Sequence, residues 1–183
     1  MTKVFIGGSR RVTRLNAEVW RCLDRMIEKR LHVLIGDANG ADKAVQSYLS
    51  SRGYDRVQVF CIKGDCRNNL GSWMTREVPA PNDKKDFSYY AAKDEIMARE
   101  ASIGFMIWDG RSVGTLLNIR RLVKQRKRVV VYLVPSKEFV TLRNKSDWET
   151  FLAHCGKEVQ QRIEWYERID ARQAHNAGQV SLF

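Results

Sequence analysis

Over its first 135 positions the chain alternates short apolar runs with stripes of helical spacing. Runs over 3–6, 32–35, 57–62, 103–108 and 129–134 read as strands. Between them, Leu15, Val19, Leu23, Met26 and Ile27 form one helical face over 15–30, with Thr13 or Asn16 as its cap. Ala44, Val45, Tyr48 and Leu49 mark a second helix over 41–51, stopped by Gly53. Ala92, Ile96 and Met97 mark a third over 89–101. Leu116, Ile119, Leu122 and Val123 mark a fourth over 116–127. Strand and helix in regular alternation predict an α/β fold: a parallel sheet of about five strands with helices on both faces. Right-handed crossovers then place every strand's C-terminal end on one edge.

The rhythm breaks twice. Residues 63–88 are polar and irregular, with Pro79 and Pro81, and carry Arg67, Asn68, Asn69, Trp73 and Arg76. So long a connection reads as a covering flap or a disordered insertion. After Pro135 a short helix is expected over 148–154, started by Ser146 or Asp147 with Glu149 at capping-box spacing from Ser146. A longer helix over 157–172 carries Val159, Ile163, Tyr166 and Ile169 in a stripe, and 173–183 has no periodicity. The expected organisation is a ligand-binding domain over 1–135, a helical appendage over 136–172 and a flexible tail over 173–183.

At 183 residues and 44% hydrophobic content, one packed domain with an appendage is the expected scale. No apolar run approaches the roughly 20 residues of a membrane span. The chain begins directly on a strand without a signal-like segment, so a cytoplasmic location is expected and no membrane partner is implied. Cys22, Cys61, Cys66 and Cys155 are scattered without paired histidines, so no metal site is expected. A net charge of +11 points to anionic partners: nucleotides, DNA or an acidic protein surface. The basic run over 120–128 reads as a solvated helix face or a DNA-facing strip, with Arg120, Arg121, Lys124, Arg126 and Lys127 outward.

Three strand ends carry glycine-rich turns. The first is Gly7, Gly8, Ser9 and Arg10. The second runs from Gly36 and Asp37 to Gly40, Ala41 and Asp42. The third is Asp109, Gly110, Arg111, Ser112, Val113, Gly114 and Thr115. Glycines let the backbone approach an anion, and the N–H groups of a first helical turn point at it. Arg10 is suited to bidentate phosphate contact. Asp37 is placed to accept from a ribose hydroxyl; Asp42 either does the same or favours the helix dipole. None of the three is a P-loop or a full dinucleotide fingerprint.

Together these turns, with Lys93, Asp94, Glu95, Ile96 and Met97, resemble the Rossmann-like SLOG superfamily over about residues 3–135. That group includes phosphoribohydrolases of the "Lonely guy" type, DNA-processing Smf proteins and nucleotide-signal sensors. The resemblance implies a nucleotide or nucleotide-derived ligand at the sheet's C-terminal edge. Phosphate would lie on 7–10 and 112–115, sugar on Asp37 or Asp42, and Lys93 would face the pocket. No cofactor is implied. The phosphoribohydrolase branch resembles PGGxGTxxE, and here its glutamate position falls on Asn118, an amide that cannot ionise. Binding without turnover is therefore the first expectation. N-glycosidic hydrolysis or transfer on a nucleotide is the alternative, with Asp37, Asp94 and Glu95 as candidate catalytic carboxylates.

The last residues offer a second signal. Gln179, Ser181, Leu182 and Phe183 resemble the linear motif by which bacterial proteins dock on the DNA polymerase sliding clamp, with 174–178 as tether. Leu and Phe fill an apolar pocket and Gln makes polar contacts. That docking would recruit the protein to DNA replication or repair in a bacterium or phage. The competing expectation is a C-terminus folded back on the core. A second copy of the chain is a further partner that such folds often take.

Overall fold

A computed structural model describes residues 1–80 and 87–180. The elements run β1 (Lys3–Gly8), α1 (Ala17–Glu28), β2 (His32–Gly36), α2 (Ala41–Ser51), β3 (Val57–Ile62), β4 (Met74–Val78) and α3 (Phe87–Glu100). They continue with β5 (Ile103–Trp108), α4 (Val113–Lys124), β6 (Arg128–Leu133), β7 (Glu138–Leu142), α5 (Lys145–Ala153) and α6 (Lys157–Val180). The seven strands form one sheet in the order β4-β3-β2-β1-β5-β6-β7. Every pairing is parallel except β6 with β7, which is antiparallel. The fold is Rossmann-like, as expected, with seven strands where about five were predicted.

Alternation along the inner strands sorts their side chains to two faces. Val4, Ile6, Val33 and Ile35 pack with Val19 and Leu23 of α1 and Val45 and Leu49 of α2. Phe5, Leu34 and Met106 pack with Met97 of α3, Leu116 and Leu122 of α4, Phe151 of α5 and Ile163 of α6. The segment expected as a helical appendage thus joins the second core layer, and β7 extends the sheet.

The two added strands correct the reading of the loops. The stretch over 63–80, expected to be a flap or a disordered insertion, holds β4, which pairs with β3 from Gln58↔Met74 to Ile62↔Val78. It is tied down further by Trp73, whose Nε1 donates to Tyr54 O at 2.7 Å, and by Asn69, whose side chain bonds both N and O of Trp73. Residues 81–86, the remainder of that loop except 87 and 88, lie outside the described residues. Helix α5 is capped by Asn144, whose Oδ1 accepts from Asp147 N at 2.9 Å, rather than by Ser146 or Asp147. Helix α6 continues to Val180, through the segment expected as a tether. Among the described residues, no helix is long and apolar enough to cross a membrane.

Part of the basic run is engaged within the fold, while Lys124, Arg126 and Arg128 stay exposed. Arg120, expected to face outward, is buried and pairs with Glu167 at 2.8 Å. Arg121 reaches Asn118 Oδ1 at 2.8 Å and Glu95 at 3.4 Å. Lys127 Nζ donates to the Ala98 and Arg99 carbonyls at the end of α3, where a cation suits the helix dipole.

Candidate functional site

From β1 the chain steps outward through β2, β3 and β4, then returns across β1 to lay down β5. The order of strands therefore reverses between β1 and β5, the place where open α/β sheets leave a crevice at their carboxyl ends. A cleft of about 880 Å³ opens there. Its walls include Gly7 and Gly8 from β1, Asp42 from α2, Lys93 and Asp94 from α3, and Asn118 from α4. The turn after β5 adds Asp109 and Ser112, the first turn of α4 adds Gly114 and Thr115, and α6 adds Glu158 and Arg162.

Lys93 is the centre of the floor. Its side chain is 4% exposed, and its Nζ lies 3.0 Å from Asp94 Oδ1 and 3.7 Å from Asp37 Oδ1. Burial works against its charge, but Asp94, Asp42 and Asp37 outweigh that and hold the ammonium above the ordinary lysine range. Burial pushes the Asp42 carboxyl up to about 7, against the pull of Lys93. A Cβ on Gly36 would stand 2.6 Å from Asp42 Oδ2 and 2.7 Å from Lys93 Nζ. Glycine is needed at 36 to seat this pair, and the residue does not line the cleft.

Asp37 is turned away from the ligand role expected for it. Its side chain is 1% exposed. Arg67 donates from Nη2 to Oδ1 at 2.7 Å and from Nε and its backbone N to Oδ2 at 3.1 and 3.0 Å. Burial opposes the charge, and these bonds with Lys93 nearby hold the carboxyl below the usual range. Asn68 fastens the same loop by donating to Asp37 O at 2.7 Å and Asn39 Oδ1 at 3.1 Å.

The third turn also differs from the expected cradle. Asp109 Oδ1 accepts from Ser112 N at 2.8 Å, Arg111 N at 3.0 Å and Ser9 Oγ at 2.9 Å. Burial opposes that charge too, and these donors hold the carboxyl below its ordinary value. Ser112 caps α4, accepting from Thr115 N at 3.4 Å and from its Oγ1 at 3.0 Å. The amides of 111, 112 and 115 are thus engaged by the protein. Gly110 takes φ +81°, the left-handed turn conformation that glycine permits. Gly8 serves packing, because a Cβ there would lie 2.5 Å from Ile107 O and 2.6 Å from the Ala41 Cβ.

Of the expected site residues, ligand-binding and catalytic together, Gly7, Gly8, Arg10, Asp42, Lys93, Asp94, Asp109, Ser112, Gly114 and Thr115 come together on the cleft. Ser9, Gly36, Asp37, Gly40, Glu95 and Gly110 do not line it. Ser9 is fully buried beneath Asp109. Glu95, a candidate catalytic carboxylate, is solvated on the outer face of α3, its side chain 64% exposed beside Arg121. Gln179 belongs to the last residues of α6, while Ser181, Leu182 and Phe183 lie outside the described residues.

Sequence reasoning missed Arg11, Tyr90 and Arg162, which line the cleft. Arg111 of the third turn lines it too, and Arg67 of the polar connection stands behind it. Arg10 and Arg67 both stack on the Tyr90 ring, at 5.3 and 4.6 Å from its centroid. Arg10, Arg11, Arg111 and Arg162 are exposed and have no carboxylate partner among the described residues. Asn118, read as the loss of an acid, donates from Nδ2 to Asp94 Oδ2 at 2.8 Å. The cleft therefore keeps a carboxylate, supplied by α3 instead of α4.

No protein-family model matches the chain, and no curated protein matches it. Among solved structures it is similar to DNA processing protein A (DprA) from Helicobacter pylori, a structure described by its unique mode of binding single-stranded DNA. That alignment has a TM-score of 0.52 at 14% identity and covers 91% of this chain and 80% of the other. DprA from Streptococcus pneumoniae aligns with a TM-score of 0.49 at 17% identity, over 71% of this chain and 50% of that one. The chain spans about half the length of the pneumococcal protein. The chain has the Rossmann-like fold seen in the Helicobacter protein.

Proposed function

We propose that the protein binds a nucleotide or nucleotide-derived ligand in the cleft between the carboxyl ends of β1 and β5. The observation that carries this reading is the contrast in charge: Lys93 is neutralised by carboxylates, whereas Arg10, Arg11, Arg111 and Arg162 stand exposed on the cleft without acidic partners among the described residues. Exposed guanidinium groups around a polar cleft suit phosphate oxygens, which they hold by charge-assisted bonds. The single-stranded DNA bound by the Helicobacter protein of the same fold supports a nucleotidyl ligand here.

The test is thermal stabilisation and calorimetry with a panel of nucleoside monophosphates and a short single-stranded oligonucleotide at low salt. Binding raises the unfolding temperature. The double change Arg10→Ala and Arg111→Ala lowers affinity at least about tenfold, or about 1.4 kcal/mol, and leaves the ligand-free unfolding temperature unchanged. Absence of stabilisation by every nucleotide and by the oligonucleotide overturns the reading.

N-glycosidic cleavage is the second reading, favoured by the carboxylate of Asp94 held on the cleft wall between Lys93 and Asn118. It predicts free base in the same incubations, and its absence across the panel removes that activity while leaving binding untouched.

A further inference from the structure

We infer that Asp94 is the sugar-reading group of the cleft and that it selects a ribose over a 2′-deoxyribose. The inference rests on the nucleotide reading of the cleft and specifies the class of ligand.

The four carboxyl groups around the floor are not equivalent. Asp37 is closed off by Arg67. Asp42 is 7% exposed beside Lys93. Asp109 has one oxygen filled by Ser9, Arg111 and Ser112. Asp94 shares the cleft lining with Asp42, Asp109 and Glu158 of α6, but it is the one beside Lys93 whose side chain is also 23% exposed, with a single protein donor on each oxygen. Lys93 Nζ donates to its Oδ1 at 3.0 Å and Asn118 Nδ2 to its Oδ2 at 2.8 Å. The orientation of that amide is set from behind, because Asn118 Oδ1 accepts from Arg121 Nη1 at 2.8 Å and the Nδ2 side must face Asp94.

A carboxylate offers about four acceptor positions, two on each oxygen. One protein donor on each oxygen of Asp94 leaves one position on each. Two acceptors a carboxylate's width apart match two neighbouring hydroxyl donors, as in a ribose 2′,3′-diol. A phosphate has no donor to give and is repelled by the same group. The arginines at the opening thus take the phosphate and Asp94 takes the sugar. This orients the ligand with its phosphate outward. A 2′-deoxy sugar brings one donor fewer and leaves one held acceptor unpaired, which a site built on such bonds rejects strongly. Asp37 and Asp42, 1% and 7% exposed, offer a sugar less access than Asp94.

The experiment is calorimetric titration of the full chain with AMP and dAMP, and with GMP and dGMP, at one salt concentration. The expected result is ribonucleotide affinity at least about tenfold above the deoxy partner. In Asp94→Asn that ratio falls toward one, and the affinity for the deoxy nucleotide changes little. Equal affinity of the unaltered protein for both members of each pair overturns the inference and leaves the nucleotide reading standing. Binding of none of the four, nor of any other nucleotide or the oligonucleotide, overturns both. The comparison in the unaltered protein decides the matter even where Asp94→Asn fails to fold. An undiminished ratio in a folded Asp94→Asn protein also overturns the assignment.

Discussion

Lys93 and the arginines at 10, 11, 111 and 162 bring positive charge to one cleft, yet the two groups sit in opposite surroundings. Lys93 is sealed under Gly36 and faces carboxylates from α2, α3 and the second turn. The arginines are solvated and unpaired by acids among the described residues. A buried cation with its anions in place has no charge left to offer a ligand, and disturbing it is costly. An exposed unpaired cation contributes little to folding and is free to meet an anion. The difference separates residues that hold the cleft open from residues that fill it. It also shows why a lysine facing a pocket need not contact the ligand's phosphate.

The largest effect expected from this contrast is on stability. Lys93→Met leaves Asp42, Asp94 and Asp37 around an apolar tip. Removing one partner of a buried ionic group costs about 3–5 kcal/mol. Replacing Arg111 or Arg162 by alanine, like most exposed substitutions, changes stability by less than about 0.5 kcal/mol. Urea unfolding of the three variants measures both. A Lys93→Met protein as stable as the arginine variants would mean that the floor is not a closed unit.

A smaller loss is expected where the floor's loop supports the opening. Gly40 has φ +85°, and a Cβ there would lie 2.2 Å from Arg10 O and 2.4 Å from Arg10 C. Those are backbone atoms, so the clash cannot be relieved by a rotamer change. Gly40→Ala should cost about 1–3 kcal/mol, the range for overpacking. It should also displace Arg10 and weaken nucleotide binding along with stability. Arg10→Ala weakens binding alone. Equal binding by Gly40→Ala and the unaltered protein would show that this backbone contact does not position Arg10.

The inner strands were legible because they are buried on both sides and read as apolar runs. The edges were not. Of the five residues of β4, Val78 alone is buried, and β7 buries only Leu142. Edge strands half in solvent need no apolar run, so pattern cannot find them. At the site, the glycine turns and Lys93-Asp94 were visible as residue types, but their partners were not. Arg67 on Asp37 and Asn118 on Asp94 join positions 30 and 24 residues apart. Asn118 looked like a deletion because its function lies in a bond to another helix. Arg162 arrives from α6, and nothing local marks an arginine on a solvated helix as part of a distant cleft.

The finest test of a closed floor is its response to pH. Asp42 has its carboxyl raised from 3.8 to about 7 in the folded chain. Between those values the native state holds a proton that the unfolded state has released, so stability falls as pH rises through that window and levels off above it. Asp37 and Asp109 are lowered instead; their contribution is present above the unfolded carboxylate pKa and is lost only at lower pH, outside the window. His32 acts within it with the opposite sign. Burial lowers its pKa, so the unfolded state binds the extra proton and stability rises with pH near 6.5. Asp42→Asn removes the first titration and leaves His32 unchanged. The difference in unfolding temperature between Asp42→Asn and the unaltered protein should therefore shift toward the variant from pH 5 to pH 7 and then stay constant. A difference that is flat across this range would place Asp42 in contact with solvent and open the floor that Lys93 is argued to close.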